Sequence, residues 1–270
     1  MGKKALIYLI LSITGIFMLF PFYWMFVTSL KTQPESLMFP PTLFPRLFKF
    51  YNYIEVFNTV PFARYILNTV IVTFFVVLGI LMTSILAAYA FARIEFPGRE
   101  IYFTFLIGLM QVPLPLYLVP SYILLSKLGW IDTYLALIVP WTANIFAIFL
   151  LRQFFKTVPR ELIESAKIDG CGHFTILTKI LLPLAKAPLA AIIVLNTIGS
   201  WNSFVWPLIV TNSDSLRPIQ VGLAYFSRAE STNYPLLMAA SFISILPLLI
   251  IYIIAQKFVV ESFSYSGLKY

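Results

Sequence analysis

Read for hydrophobic and polar positions, the chain alternates long apolar runs with short polar connections. Six runs, at about residues 5–29, 66–92, 101–125, 134–151, 189–211 and 236–255, contain no Lys, Arg, Asp, Glu or His. A bilayer core about 30 Å thick takes about 20 predominantly apolar residues per helix. The pattern therefore predicts an all-α polytopic membrane protein with six transmembrane helices. An ionisable residue at a helix centre costs at least about 2.5 kcal/mol and marks ion or proton movement; these spans show no such relay.

Three interruptions modulate the pattern. The connection from residue 30 to 65 carries Pro34, Pro40, Pro41, Pro45 and Pro61 among several aromatics, which favours extended or turning backbone. It reads equally as an ordered cap over the bundle or as a docking surface. In the third run, MQVPLPLYLVPS places Pro113, Pro115 and Pro120 at membrane depth. Broken backbone is tolerated there only against protein or a watery cavity, so the segment is either a pathway wall, with Gln111 beside it, or a helix exit into solvent. The fifth run, LAAIIVLNTIGSWNSFVWPLIV, holds Asn196, Thr197, Ser200, Trp201, Asn202 and Trp206. These side chains suit interhelical hydrogen bonding. Asn196, Trp201 and Asn202, together with Asn144, are also candidates to line a passage for a hydroxyl-rich solute, through hydrogen bonds and ring stacking.

The connection at 157–184 departs from everything around it. ELIESAKIDGCGHFTILTKILLPL carries Glu161, Glu164, Lys167, Asp169 and Lys179, with Lys156 and Arg160 just ahead. Pro159 suits a helix start, and Glu161 and Glu164 favour the first turn through the helix dipole. Leu162, Ile163 and Ala166 share one face, while Arg160, Glu164 and Lys167 face elsewhere. Gly170, Cys171 and Gly172 turn the chain. A second amphipathic run then places Phe174, Leu177 and Leu181 on one side and Thr175, Thr178 and Lys179 on the other. The expectation is a helix–turn–helix at the membrane surface. A hairpin lying in the headgroups needs no acidic cluster, and acids beside anionic lipid are unfavourable; a projecting knob for a protein socket fits better.

Composition agrees with the pattern. The 270 residues are 60% hydrophobic and 11% charged, against about 25% charged in soluble domains. Lys3 and Lys4 before the first run raise the alternative of a signal peptide, but the run is too long and lacks an A-x-A site, so it is expected to stay as an anchor. Six spans put both termini on one side. Of the 19 basic residues, twelve fall on that side and seven on the other, which makes the termini and the charged loop cytoplasmic. The net charge of +8 is explained by residues flanking the spans, with no basic stripe for nucleic acid. One cysteine and one histidine leave no material for a disulfide, a zinc site or a thiol catalyst. Without G-x-x-x-x-G-K-[ST] or G-x-G-x-x-G, no nucleotide site is expected on this chain. Nor does an acid, base and nucleophile cluster appear, so the chain is not read as an enzyme.

The segment ESAKIDGCGHFTILTKILLP resembles the EAA loop of ABC-transporter permeases: E-A-A, three residues, G, nine residues, then I-x-L-P, here Glu164, Ser165, Ala166, Gly170, Ile180, Leu182 and Pro183. The resemblance extends through FPFYWMFVTSLKT, LAAYAFARIEFPGRE, LGWIDTYLALIVP, FLLRQFFKTVPREL, GSWNSFVWPLIV and RPIQVGLAYF, in the order of the maltose-transporter type of carbohydrate-uptake permease. Ser165 replaces an alanine, and Cys171 and Gly172 stand where Ala and Ser or Asn are more frequent; all are small. The resemblance implies a type I ABC importer permease fold and a subunit of a binding-protein-dependent importer in a prokaryotic cytoplasmic membrane. It further implies a second, different permease, two ATPase subunits holding ATP and Mg, and an extracytoplasmic solute-binding protein. In that reading the loop is the coupling helix, with Glu164, Ser165, Ala166, Asp169, Gly170, Ile180 and Pro183 at the ATPase contact, and ESFSYSGLKY resembles a C-terminal segment that can reach the same interface. A permease for another polar solute, such as a glycerol-phosphate ester, and a standalone secondary carrier remain the alternatives.

Overall fold

Apolar runs of this length bury their backbone polar groups by forming helices, the one open-ended way to do so in lipid. The computed structural model describes residues 2–227 and 232–267, with side chains for residues 4–227, 232–254 and 256. Its elements are α1 (Gly2–Ser29), α2 (Gln33–Ser36), α3 (Tyr51–Thr59), α4 (Phe62–Arg93), α5 (Arg99–Gly108), α6 (Leu114–Lys127), α7 (Tyr134–Ile138), α8 (Ile145–Thr157), α9 (Arg160–Ile168), α10 (His173–Thr175), α11 (Leu182–Leu184), α12 (Lys186–Trp201), α13 (Val205–Val210), α14 (Ile219–Phe226) and α15 (Tyr234–Gly267). A π-helical turn, Ile176–Leu181, joins α10 to α11. Arg228 and residues 268–270 lie outside the described residues, as do the side chains of the C-terminal segment from residue 261.

Among the described residues, four helical stretches are long and apolar enough to cross a membrane, and the number rises to six if each of two bent pairs is one span. The break in the third run agrees with its three prolines, whereas the divisions of the fourth and fifth runs depart from the expected unbroken helices. The third run is two helices at 98°: α5 ends at Gly108, a 3-10 turn follows, and Val112 and Pro113 are extended before α6 begins with Pro115 in its first turn. The fourth run is divided by a 3-10 turn, Val139–Trp141, and a non-helical step at 142–144. The fifth helix starts at Lys186 and stops at Trp201, with α13 beyond a break at 202–204. Proline is the common cause, since it removes an N–H and clashes with the preceding turn.

The break in the fourth run is held by α4. Gly79 packs directly on Thr142, where a Cβ would fall 2.6 Å from the threonine methyl. Thr83 Oγ1 donates to Thr142 O at 2.7 Å and Ser84 Oγ reaches Asn144 O at 3.5 Å, while Asn144 Oδ1 accepts the Ala147 N–H and so caps α8. The freed backbone groups are thus repaired by neighbouring side chains, as broken helices in lipid require.

One buried cluster joins α4, α7, α8 and the loop beyond α8, through residues such as Val76, Leu137, Leu151, Phe155, Ile176 and Leu181. A second lies at the opposite end, around Phe62, Tyr65, Trp201, Ile219 and Phe226. The first connection forms an ordered cap: Asn52 Nδ2 donates to Ser29 O and Lys31 O at 2.7 and 2.9 Å, and Glu35 Oε1 accepts the Arg46 N–H at 2.8 Å. Outward apolar faces on α1 and α4 suit contact with lipid.

Candidate functional site

The charged loop begins where α8 ends and Val158 and Pro159 run extended into α9. Ile163 and Ala166 are buried as the helical spacing requires, whereas Leu162 is 42% exposed. The turn after α9 is a Schellman motif. Cys171 N–H donates to Ala166 O at 2.9 Å and Gly170 N–H to Lys167 O at 3.0 Å, with Gly170 in the left-handed region at φ +80°.

The second limb differs from the expected surface helix. Instead of standing as a separate helix it runs through the π-helical turn and meets α12 at 79°. Ile176, Leu177 and Leu181 are buried, because this limb joins the core cluster that also holds Leu151, Phe155, Ile163 and Ala166 rather than lying on the surface. Phe174, expected with Leu177 and Leu181 on one apolar side, is 74% exposed. Beside Ile168, at 86%, it makes an apolar tip around Gly170.

The exposed face of α9 and its turn therefore presents Glu161, Glu164, Ser165, Lys167 and Asp169 around Leu162, Ile168 and Phe174. Ser165 Oγ turns back onto Leu162 O at 3.2 Å. Among the described residues, Glu161, Glu164 and Asp169 have no ion-pair partner within 4.0 Å. Ile180 is half-buried and Pro183 exposed at the junction with α12. An apolar tip ringed by acids without ion-pair partners is chemically able to dock against a surface of opposite charge.

The loop is clamped to the helices above it. Arg93, at the end of α4, donates to Phe155 O and Val158 O, and the Tyr89 hydroxyl lies 2.7 Å from His173 Nδ1. Arg152, 3% exposed, sends Nε to Phe91 O at 3.1 Å and Nη2 to both Glu100 oxygens at 2.6 and 2.7 Å. It also stacks 3.7 Å from the Phe103 ring centre.

Deeper in the bundle, a cavity of about 320 Å³ is walled by α4, α7, α12 and α13 and by the break in the fourth run. Asn144 and Asn196 both line it, and Asn144 Nδ2 donates to Asn196 Oδ1 at 2.9 Å. The structure brings those two candidates together and not the others. Gln111 is exposed away from the cavity, Trp201 is buried and donates to Ser244 O at 3.1 Å, and Asn202 accepts from Gln220 Nε2 at 3.2 Å. Ser200, one of the fifth run's hydroxyls, also lines the cavity, while sequence reasoning missed Trp141, Thr69 and Ser203; Pro140 beside Trp141 was the available signal. Among the described residues, no Lys, Arg, Asp, Glu or His contributes to the wall.

At the end opposite the loop, polar side chains hold the connections together. Asn68 Nδ2 donates to Ser215 O and Arg217 O at 2.9 and 3.0 Å, and Asn68 Oδ1 accepts from the Tyr134 hydroxyl at 2.7 Å. Asp132, with φ +59°, accepts from Ser213 N–H, Ser213 Oγ and Asn212 N–H at 2.9–3.0 Å. The Ser213 backbone N–H, followed by the Asn212 N–H and the Ser213 hydroxyl, holds its carboxyl below the usual range.

The family model of the binding-protein-dependent transport system inner membrane component matches residues 2–264. The chain is 33% identical over 254 residues to the arabinooligosaccharides transport system permease protein AraQ of Bacillus subtilis, covering 93% of this chain and 90% of AraQ. It is 33% identical over 263 residues to the sn-glycerol-3-phosphate transport system permease protein UgpE of Brucella suis, covering 94% and 93%. In fold it is similar to a chain of a bacterial ABC transporter involved in import of the acidic polysaccharide alginate, with TM-score 0.83, 24% identity, and 94% and 95% coverage. A chain from the alginate transporter complexed with a pentasaccharide-bound periplasmic protein gives TM-score 0.67, 18% identity, and 94% and 93% coverage.

Proposed function

We propose, from the premise that this chain belongs to the family of binding-protein-dependent transport system inner membrane components, that it is the sugar-translocating permease subunit of an ABC importer. The family makes it a transport subunit in the inner membrane and not an enzyme. The finer reading assigns it a second, different permease, two ATPase subunits that bind ATP and Mg, and a solute-binding protein on the far side. Both termini and α9 face the cytoplasm, and six spans result from counting each bent pair once.

The observation that carries this reading is the loop: a rigid turn at Gly170, an apolar tip at Ile168 and Phe174, and unpaired carboxylates at Glu161, Glu164 and Asp169. Such a knob transmits motion as a body, as a coupling helix seated in an ATPase cleft must. The cavity supports a neutral saccharide over a phosphate ester, since an anionic solute in a water-poor site needs a paired cation and the described residues of the wall include none. An AraQ-like solute fits this wall better than a UgpE-like one.

The first test is extraction of the tagged chain from its native membrane in mild detergent, with mass spectrometry of what co-purifies. Recovery of an ATPase, a second permease and a solute-binding protein is expected; recovery of this chain alone from transport-active membranes overturns the proposal. In the recovered complex, Glu164→Gln is expected to insert normally but to lose most ATP-driven uptake of the sugar that the binding protein retains. Full uptake in that variant removes Glu164 from the coupling role.

A further inference from the structure

Of the transmembrane helices packed against the loop, one is continuous through the bilayer. The third and fourth runs are interrupted at 109–113 and 139–144, and the fifth bends at Ala185 and breaks again at 202–204. Each interruption is a place where a push from the loop is absorbed as a change of angle. By contrast, α4 runs through 32 residues, roughly 48 Å at 1.5 Å per residue, with every backbone N–H after its first turn available to the helical ladder.

Along that length α4 touches each working part. Within its last turn, Tyr89 meets His173 across the loop's turn, Phe91 O accepts from Arg152, and Arg93 holds the last carbonyls of α8. At its middle, Gly79 and Thr83 seat the broken backbone of the fourth run. Val72, Val76 and Ile80 form one wall of the cavity, and Thr73 accepts from Ser200 Oγ of α12 at 3.2 Å. Near its far end, Asn68 holds the carbonyls of Ser215 and Arg217, and Thr69 Oγ1 accepts the Ile219 N–H at 2.8 Å.

We infer that α4 is the lever that carries the loop's displacement to the cavity and to the far end of the bundle, with the Tyr89–His173 hydrogen bond as its specific link to the turn. This rests on the importer reading, and it makes Tyr89 and His173 positioning residues of ATP-driven transport. Arg93 and Arg152 fasten the stem of the loop, whereas His173 stands on the side of the turn that meets the socket, three residues past Gly170. A displacement of the turn reaches α4 first through that bond. Tyr89 is buried while His173 is exposed, so Tyr89→Phe fills the same space and leaves His173 solvated: it cuts the link without creating a buried unpaired group.

The test uses the full complex in lipid nanodiscs with its solute-binding protein. Cys171→Ser removes the single cysteine, and Ala63→Cys, exposed in the first turn of α4, carries an environment-sensitive bimane. The emission shift between the nucleotide-free complex and the complex trapped with ATP and vanadate reads movement of the far end. Tyr89→Phe is expected to keep ATP hydrolysis while the trapped fraction reporting the shift drops about fivefold or more, the lower end of ordinary coupling between sites. His173→Asn, whose amide replaces Nδ1, is expected to retain the shift. A parent-like shift in Tyr89→Phe, or no shift in the parent on trapping, overturns the lever and leaves the importer reading intact. Absence of ATP hydrolysis by the assembled parent complex overturns the importer reading, and the lever falls with it.

Discussion

At the scale of single residues, the polar groups of this chain divide by whether they are fully partnered. Asp132 sits in a left-handed conformation that aspartate tolerates better than most side chains, and its carboxylate gathers donors from Asn212 and Ser213. Those bonds favour the ionised form, so the folded-state pKa is depressed. A depressed carboxyl contributes stability that is fully present above its unfolded pKa, about 3.9, and is lost as pH falls through the folded value. The thermal stability of the parent relative to Asp132→Asn is therefore expected to be level above about pH 5 and to fall as pH drops below that, through the unfolded and then the folded pKa. Asparagine keeps an accepting oxygen at the same turn without a titration, so a pH-independent difference would show that the charge is irrelevant. Nothing in LGWIDTY announced this role, because the partners at 212–213 are about 80 positions away and only the closed bundle brings them together.

The elements show which sequence signals were sufficient. Six apolar runs, the charged loop and its turn were legible because hydropathy and glycine act locally. The two glycines around Cys171 looked equivalent, yet only Gly170 has positive φ, while Gly172 has φ −75°. Neither has an atom within 4 Å of an added Cβ, so any cost comes from backbone conformation alone. Gly170→Ala is expected to lose roughly 1–2 kcal/mol at the turn, the left-handed penalty of an L-residue. Gly172→Ala should stay within about 0.5 kcal/mol, as surface substitutions usually do. ATPase retained on the tagged chain should drop for the first and hold for the second; equal retention would mean that the turn does not set the contact. The spacing placed Leu177 and Leu181 correctly, but the burial of Ile176 and the exposure of Phe174 were less legible. A helical wheel assumes 3.6 residues per turn, and a π-helical turn rotates the face, so the periodicity assigned Phe174 to the wrong side.

For the whole molecule, hydropathy counts apolar residues but does not see a bend: the three prolines of the third run announced a break but not its 98° angle, and the division of the fourth run went unread. The cavity was half legible for the same reason. Asn144 and Asn196 stood out as amides in apolar runs, whereas Trp141 enters the wall only because the helix breaks beside it. Magnitude separates the two roles open to the amide pair. An interhelical hydrogen bond contributes about 0.6 kcal/mol on average, which corresponds to less than about threefold in an equilibrium at 1.4 kcal/mol per factor of ten. If the Asn144–Asn196 bond only fastens α12 to the start of α8, Asn196→Leu should reduce sugar uptake by no more than that factor. A solute that exchanges water for these amides loses a directed partner in the variant, and a buried polar group left unpaired costs about 1–3 kcal/mol. Uptake at low sugar concentration is then expected to fall about tenfold, with ATP hydrolysis by the complex still present. A decrease under threefold would assign the pair to packing and move the passage to another wall.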